Sequence, residues 1–142
     1  MATLSVELVT GERVVYQDSG VELVSAPGSE GRLGILPNHA SLISTLDAGE
    51  LRIRKGGRDE HFVVFGGFIQ VTYNRVIILA DTAERVADID LERARRAYDH
   101  ARERLERRES PEDVRAARRE RQHAEVRMRA AENGRTGSAA RP

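Results

Sequence analysis

Residues 51–80 read LRIRKGGRDEHFVVFGGFIQVTYNRVIILA, and this stretch decides the fold class. Apolar and polar side chains alternate from Leu51 to Arg54, and the alternation stops at Gly56-Gly57. A two-residue period places alternate side chains on opposite faces of a strand, and a glycine pair suits a tight hairpin turn. Three more strand-like runs follow, at 61–65, 68–73 and 76–80. The stretch therefore predicts short strands joined by tight turns.

The same alternation continues toward the N-terminus. Leu4, Val6 and Leu8 alternate with polar residues, and new runs begin at Val14 and Val21. Short strands at close spacing, separated by Gly, Asn and Pro, are typical of an all-β sandwich or barrel. We therefore predict a β-sandwich domain over residues 1–87.

The hydrophobic period changes beyond residue 87. Apolar residues then recur at steps of three and four, which predicts two helices that pack through a narrow seam. Asp90 precedes the first helix, Ser110-Pro111 begins the second, and Asn133-Gly134 is a suitable end. The predicted units are a helical hairpin over 88–134 and a disordered tail over 135–142. The predicted seam consists of Leu91, Ala94, Tyr98, Ala101 and Leu105 in one helix and Val114, Ala117, Ala124, Met128 and Ala131 in the other.

Composition excludes several functional classes. The 142 residues carry 23 basic and 23 acidic side chains, and this balance argues against a general nucleic-acid binder. The chain has no cysteine, so a disulfide framework and a thiolate metal site are excluded. No apolar run approaches the ~20 residues that span a bilayer, and no signal peptide is recognisable. These features predict a soluble protein of the cytoplasm.

Motifs for catalysis are not found in the sequence. The four histidines lack the spacing of a metal site, so no metal is expected. Gly31-Arg32-Leu33-Gly34 lacks the Gly-Lys-Ser/Thr ending of a phosphate loop, and no serine lies in a nucleophile elbow. We therefore expect a protein that is not an enzyme.

The segment after Gly34 is a candidate contact loop. Turn residues there accompany apolar side chains, which a loop can present to a partner. The alternative is a sandwich corner that folds onto its own core, and the residues alone favour that interpretation. The candidate contact residues are Ile35, Leu36, Pro37 and His39.

Four segments together resemble the epsilon subunit of F-type ATP synthases. They are Gly34 to Ala40 (GILPNHA), Gly49-Glu50-Leu51, Gly66-Gly67-Phe68 and Val76 to Ala80, in that order and spacing. The resemblance covers residues 4 to about 132. It implies a mainly β plus α fold, in which an N-terminal ten-stranded β-sandwich precedes a C-terminal antiparallel two-helix hairpin.

The resemblance also implies a non-catalytic rotor subunit. In the family, the sandwich binds the gamma subunit and the ring of c subunits, and the hairpin extends toward the alpha and beta subunits to inhibit ATP hydrolysis. We therefore expect a role in ATP synthesis and hydrogen-ion transport. The expected location is peripheral, at the cytoplasmic face of the bacterial plasma membrane, and the isolated chain is expected to be a monomer.

A further motif resembles the nucleotide site of some bacterial members. Ile89-Asp90-Leu91-Glu92-Arg93-Ala94 matches their Ile/Leu-Asp-x-x-Arg-Ala pattern. Glu84 and Arg127 also stand at positions that contact ATP in those members. The resemblance therefore implies regulatory ATP, although no cofactor is required. Two departures, His100 and His123, stand where those members carry arginines, and neutral histidine binds phosphate less well.

Two other classes of protein remain open. One is a β-sandwich interaction module with a coiled-coil-like tail, unrelated to ATP synthase, and it predicts a stable homodimer through the 91–105 seam. The other is a small enzyme, which would need a pocket of convergent polar groups in the sandwich.

Overall fold

The computed structural model describes the backbone of residues 2–140 and the side chains of residues 2–133. The chain divides into two compact units, Met1–Arg85 and Val86–Pro142. This division lies two residues before the predicted boundary between residues 87 and 88.

The first unit consists of seven strands. Three of them are long because the chain stays extended through a bend rather than ending there. The strands are β1 (Leu4–Val9), β2 (Val14–Gly28), β3 (Gly31–Ile35), β4 (Leu42–Lys55), β5 (Arg58–Thr72), β6 (Arg75–Ala80) and β7 (Ala83–Arg85).

Five of the strands pair in a closed order. β1 pairs in parallel with β6, and the antiparallel pairs β6–β5, β5–β4, β4–β2 and β2–β1 complete the circuit. β3 adds to β2, and β7 adds to β5. A closed circuit covers the strand edges that would otherwise be free to pair with another chain. The predicted sandwich-or-barrel class is therefore confirmed.

The expected ten strands are not confirmed, since the described residues form seven. The runs predicted from Val14 and Val21 are one strand, because Gly20 adopts a positive φ of 73° and lets β2 continue. The runs at 61–65 and 68–73 are likewise both parts of β5. β3 and β7 are too short to show a clear alternation, and the sequence pattern does not predict them as strands.

The core of the first unit consists of the inward side chains of all seven strands. Leu4, Val6 and Leu8 are at most 2% exposed, as their alternation predicts. Phe62 is fully buried and meets Tyr16 edge-on, with their ring centroids 5.7 Å apart. The Arg85 guanidinium carbon, on β7, lies 5.1 Å from the centroid of the same Phe62 ring, a cation–π contact at the edge of the core.

Gly66-Gly67 marks the point where β5 changes partner. Gly67 is opposite Ala80 of β6, and Val64 is opposite Ala83 of β7. Gly66 and Gly67 have φ values of 79° and 124°, which side chains disfavour. A Cβ at Gly67 would also collide with the carbonyl oxygen of Leu79. This position therefore requires glycine.

The second unit consists of a short 3-10 helix, Val86–Asp88, followed by α1 (Leu91–Arg107) and α2 (Pro111–Ala140). Asp90 caps α1, since its Oδ1 accepts the backbone N–H of Arg93 at 3.2 Å. Ser110 caps α2, since its Oγ accepts the N–H of Asp113 at 3.0 Å. Both predicted helix starts are therefore confirmed.

The predicted seam lies between the two helices. Leu91, Ala94 and Ala101 are buried on α1, and Ala117, Ala124 and Ala131 are buried on α2. α2 is assigned past the helix end predicted at Asn133-Gly134, so that end is not confirmed. The predicted disordered tail, 135–142, lies outside the residues whose side chains are described and stays a prediction.

Candidate functional site

The candidate contact loop follows β3 at one end of the sandwich. Leu36 is 58% exposed, whereas Pro37 and His39 are half-buried. The His39 backbone N–H donates to the Leu36 carbonyl at 3.2 Å, and His39 Nδ1 donates to the Ala40 carbonyl at 2.7 Å. Ile35 is fully buried in the core, so its prediction as a contact residue is wrong. Ile35 is the last residue of β3, where its side chain points inward.

An amide pair holds this loop against the turn between β5 and β6. The backbone N–H of Asn38 donates to Asn74 Oδ1 at 2.5 Å, and Asn74 Nδ2 donates to Asn38 Oδ1 at 3.1 Å. The Asn74 carbonyl also accepts the N–H of Ser5 at 2.9 Å, next to β1. Asn74 therefore connects the loop, the turn and the first strand.

Exposed apolar side chains form a band across the outer face of the sandwich. Strand register places Val9 opposite both Val14 and Leu79, and Leu79 opposite Phe68. Val14, Phe68 and Leu79 are 51%, 54% and 50% exposed. Ile43, two residues from the partner of Phe68 on β4, is 73% exposed and extends the band. We call the four exposed residues Val14, Ile43, Phe68 and Leu79, together with the half-buried Val9, the apolar band.

The apolar band was not predicted, although the sequence contains a signal for it. β6 reads RVIILA, with five consecutive apolar residues from Val76 to Ala80. A strand with one solvated face alternates, whereas a continuous apolar run indicates that both faces are covered. In this unit Val76 and Ile78 face the core, while Leu79 faces outward.

The predicted nucleotide motif lies at the start of α1. Asp90 is the N-cap, and its backbone carbonyl accepts the N–H of Ala94 at 3.0 Å. Ala94 is buried in the seam, Ile89 is half-buried, and Arg93 is exposed. Capping and packing thus account for Asp90 and Ala94, whereas the exposed Arg93 has a side chain that can contact phosphate.

Arg127 lies on the facing helix and is half-buried. An ion pair between Arg95 and Glu132, at 3.4 Å, joins the two helices near the start of α1. Arg127 lies five residues before Glu132, about 7.5 Å along the helix axis at 1.5 Å per residue. Glu84 belongs to the first unit, on β7, where it is opposite Val63 and half-buried.

Arg104 forms a second link between the helices, near the end of α1. Its guanidinium donates to Asp113 at 2.5 Å and to Glu120 at 2.6 Å, and its side chain is only 18% exposed. The hydrogen bond to Asp113 and then that to Glu120 raise the pKa of Arg104. The ionised form is therefore favoured, and the pairs hold α1 against the first part of α2.

Among the described residues, no group of three or more His, Cys, Asp or Glu side chains could hold a metal ion. No helix in the described part of the chain has the length and apolar character needed to cross a membrane.

Two family models together match nearly the whole chain. Residues 3–86 match the ATP synthase delta/epsilon chain β-sandwich domain, and residues 87–132 match the long α-helix domain of the same chain. The chain belongs to the ATP synthase delta/epsilon family. The predicted resemblance is confirmed, and the alternative of an interaction module unrelated to ATP synthase is wrong. The seam that this alternative used for a homodimer is buried between α1 and α2.

Individual relatives carry the same name over most of their length. The chain is 43% identical over 130 residues to the ATP synthase epsilon chain of Desulforamulus reducens, covering 92% of this chain and 98% of that one. It is 51% identical over 105 residues to the epsilon chain of Carboxydothermus hydrogenoformans, covering 74% and 78%.

A solved structure with a similar fold is part of an ATP synthase. The match is to a chain in the Euglena gracilis mitochondrial ATP synthase, in a structure of its OSCP, F1 and c-ring. Its TM-score is 0.72 at 25% identity, and it covers 97% of this chain and 82% of that one. This likeness extends over both units of the chain.

Proposed function

We propose that this chain is a non-catalytic subunit of the central stalk of an F-type ATP synthase. In this role it joins the gamma subunit to the c-subunit ring and takes part in ATP synthesis coupled to hydrogen-ion transport. It would lie peripherally at the cytoplasmic face of the bacterial plasma membrane, held there by the complex. The family membership of both units and the names of the relatives support this assignment.

The apolar band is the observation that carries the proposal. Exposed apolar patches on soluble domains commonly mark protein contact sites, and aromatic side chains supply much of the binding energy there. Phe68 and Leu79 are cross-strand partners, so they present one continuous surface on two rigid strands. We assign this surface to the gamma subunit.

Binding measurements with purified gamma test this assignment. We expect Phe68→Ser and Leu79→Ser to weaken binding to gamma by at least about fivefold, the loss typical of an important interface residue. Arg58→Ser is the matched control, because Arg58 is exposed on the same strand, ten residues or about 33 Å along the strand from Phe68. A wild-type chain that neither binds gamma nor copurifies with the catalytic subunits would overturn the proposed function.

The second unit is proposed as the regulatory part, an antiparallel hairpin that inhibits ATP hydrolysis. Its cross-helix ion pairs support this topology, because Arg95 near the start of α1 meets Glu132, while Arg104 near its end meets Asp113 and Glu120. The buried side chains between the helices are mostly alanine, and such small side chains bury little apolar area. A hairpin whose buried seam is mostly alanine has little apolar area to lose when its helices separate.

Its proposed target is the alpha and beta subunits. Exposed arginines of α2, including Arg115, Arg118 and Arg119, give the hairpin a basic surface that suits acidic segments. ATPase assays of the catalytic complex, with and without the chain, measure the inhibition directly. Adding salt should relieve part of it if these charges contribute.

Regulatory ATP is proposed to contact Arg93 and Arg127 of the hairpin, next to Ile89, Asp90 and Ala94. Arg93→Ala should weaken ATP binding by about one to two decades, the loss expected for a charge-assisted hydrogen bond. Arg96→Ala is the control, because Arg96 is exposed on α1 outside the motif. If calorimetry of the wild-type chain shows no heat with millimolar ATP, the motif begins the helix and does not bind the nucleotide.

A further inference from the structure

The turn between β5 and β6 has an exposed aromatic residue in an unusual conformation. Tyr73 is 93% exposed, although its ring could cover apolar surface in a core. Its φ of 48° lies in the left-handed region, which bulky side chains rarely adopt. Asn74 follows with a φ of 62°, so the two residues have the positive φ values of a type I′ hairpin turn. Tyrosine therefore occupies a turn position where Asn, Asp or Gly is normally favoured.

The same turn is attached to the candidate contact loop. The reciprocal amide pair between Asn38 and Asn74 joins positions that are 36 residues apart in the chain. Leu36, two residues from Asn38, is 58% exposed. The loop and the turn thus present one aliphatic and one aromatic side chain at the same end of the sandwich.

We propose that Tyr73 is a contact residue for the c-subunit ring, and that Asn74 is a positioning residue which holds the Leu36 loop in its binding conformation. This inference rests on the proposed function and names the part of the chain that meets the ring.

The chemistry around Tyr73 favours a polar partner segment. Tyr73 and Asn74 line a shallow groove with Ser5, Gln17 and Asp18, which offer hydroxyl, amide and carboxylate groups. A tyrosine combines an apolar ring with a polar hydroxyl, which suits a hydrated protein surface. The water-exposed loops of a membrane ring provide such a surface, whereas the apolar band suits a drier contact.

The first test separates binding from folding at Tyr73. Asparagine tolerates a positive φ better than tyrosine does, so Tyr73→Asn should leave the Tm of the isolated chain unchanged or slightly raised. The same variant should weaken binding to the detergent-solubilised c ring by at least about fivefold. A residue with only a structural role would not combine retained stability with lost binding.

Two controls make the result specific. Glu12→Asn changes an exposed residue in the turn at the opposite end of β1 and should bind the ring as the wild type does. Phe68→Asn, in the apolar band, should weaken binding to gamma and leave binding to the isolated c ring unchanged. The opposite pattern, with Tyr73→Asn affecting gamma alone, would overturn the assignment to the ring.

The second test addresses the amide pair. Glycine accepts the positive φ of both positions, so both Asn38→Gly and Asn74→Gly keep the backbone path. Asn74→Gly removes both hydrogen bonds, whereas Asn38→Gly removes only the bond donated by Asn74 Nδ2, because the backbone N–H of residue 38 still donates to Asn74 Oδ1. Each should weaken binding to the c ring by about two- to tenfold, the range for one hydrogen-bonded pair. The double variant should bind the ring as Asn74→Gly alone does, since Asn74→Gly already breaks both hydrogen bonds of the link.

The outcomes distinguish this inference from the proposed function. A wild-type chain that binds neither gamma nor the c ring overturns both. If the wild type binds the ring and Tyr73→Asn binds it equally well, the contact role of Tyr73 is wrong, while the stalk assignment stands. Additive losses from Asn38→Gly and Asn74→Gly would overturn the positioning role of Asn74.

Discussion

Replacing Gly67 by alanine should destabilise the sandwich more than the same replacement at Gly34 or Gly57. Two separate costs act at this position. Its φ of 124° lies beyond the left-handed helical region and is rarely adopted by residues with a side chain, which costs about 1–3 kcal/mol. The new Cβ would also meet the Leu79 carbonyl oxygen and the Ala80 Cα, the latter at 2.8 Å. Moving this backbone adds an overpacking cost of about 1–3 kcal/mol.

Two control glycines separate these costs. Gly57 has a φ of 73° with open space around its missing Cβ, so Gly57→Ala reports the cost of a left-handed φ without any collision. Gly34 also has open space and no positive φ, so Gly34→Ala should be neutral or stabilising by up to about 1 kcal/mol. We expect a loss of about 1–2 kcal/mol for Gly57→Ala and about 3 kcal/mol or more for Gly67→Ala.

Urea unfolding followed by the amide NMR signals of β5 and β6 measures the free energy of unfolding in this unit. Because Gly67 precedes Phe68 and faces Ala80, the distortion should also weaken binding to gamma in the surviving folded fraction. If Gly67→Ala loses no more stability than Gly57→Ala, the collision with Leu79 does not govern this position. The partner change of β5 would then not be the reason why residue 67 is glycine.

Three other perturbations probe smaller contacts. The hydrogen bond from Lys55, at 2.7 Å, lowers the pKa of Asp18 below its ordinary 3.8. The ion pair therefore stabilises the fold above pH 3.8, and this contribution is lost as the pH falls through the lowered pKa. Asp18→Asn should flatten the acid side of a plot of Tm against pH. Arg104→Gln removes the pairs to Asp113 and Glu120 and should speed amide exchange in α2 but not in β5, whereas the exposed Arg102→Gln should change neither. Ser110→Ala removes the cap of α2 and should cost about 0.5–2 kcal/mol of helix stability, seen as faster exchange of the Asp113 amide.

Sequence reasoning predicted the elements whose side chains face one core. Alternation identifies β1, whose inward side chains lie against the core cluster, and the continuous apolar run from Val76 to Ala80 identifies β6. The three-four spacing identified the seam of α1 and α2 for the same reason. The strand count was less predictable, because glycine at residues 20, 66 and 67 lets a strand bend without ending. A glycine that breaks a pattern in the sequence is thus compatible with a continuous strand.

Contacts between distant residues could not be predicted in this way. The Asn38–Asn74 amide pair depends on how two turns meet in space, and neither residue is unusual within its own segment. The nucleotide motif shows a different difficulty, because the same residues fit two explanations. Its residue types suggested phosphate chemistry, but capping by Asp90 and burial of Ala94 follow equally from starting and packing a helix. The side chain of Arg93 is exposed and neither caps nor packs the helix.

The residues that we assign to partner contacts also break a local sequence rule. Leu79 breaks the alternation expected of a half-solvated strand, and Tyr73 occupies a turn conformation that favours other residues. Neither choice improves the isolated sandwich, since one exposes apolar surface to water and the other strains the backbone. Leu79 lies on a paired strand and Tyr73 in the tight turn that joins β5 to β6, so the backbone at both positions is ordered before any partner binds. A surface prepared in this way loses little conformational entropy on association, as a stalk subunit that must transmit rotation requires.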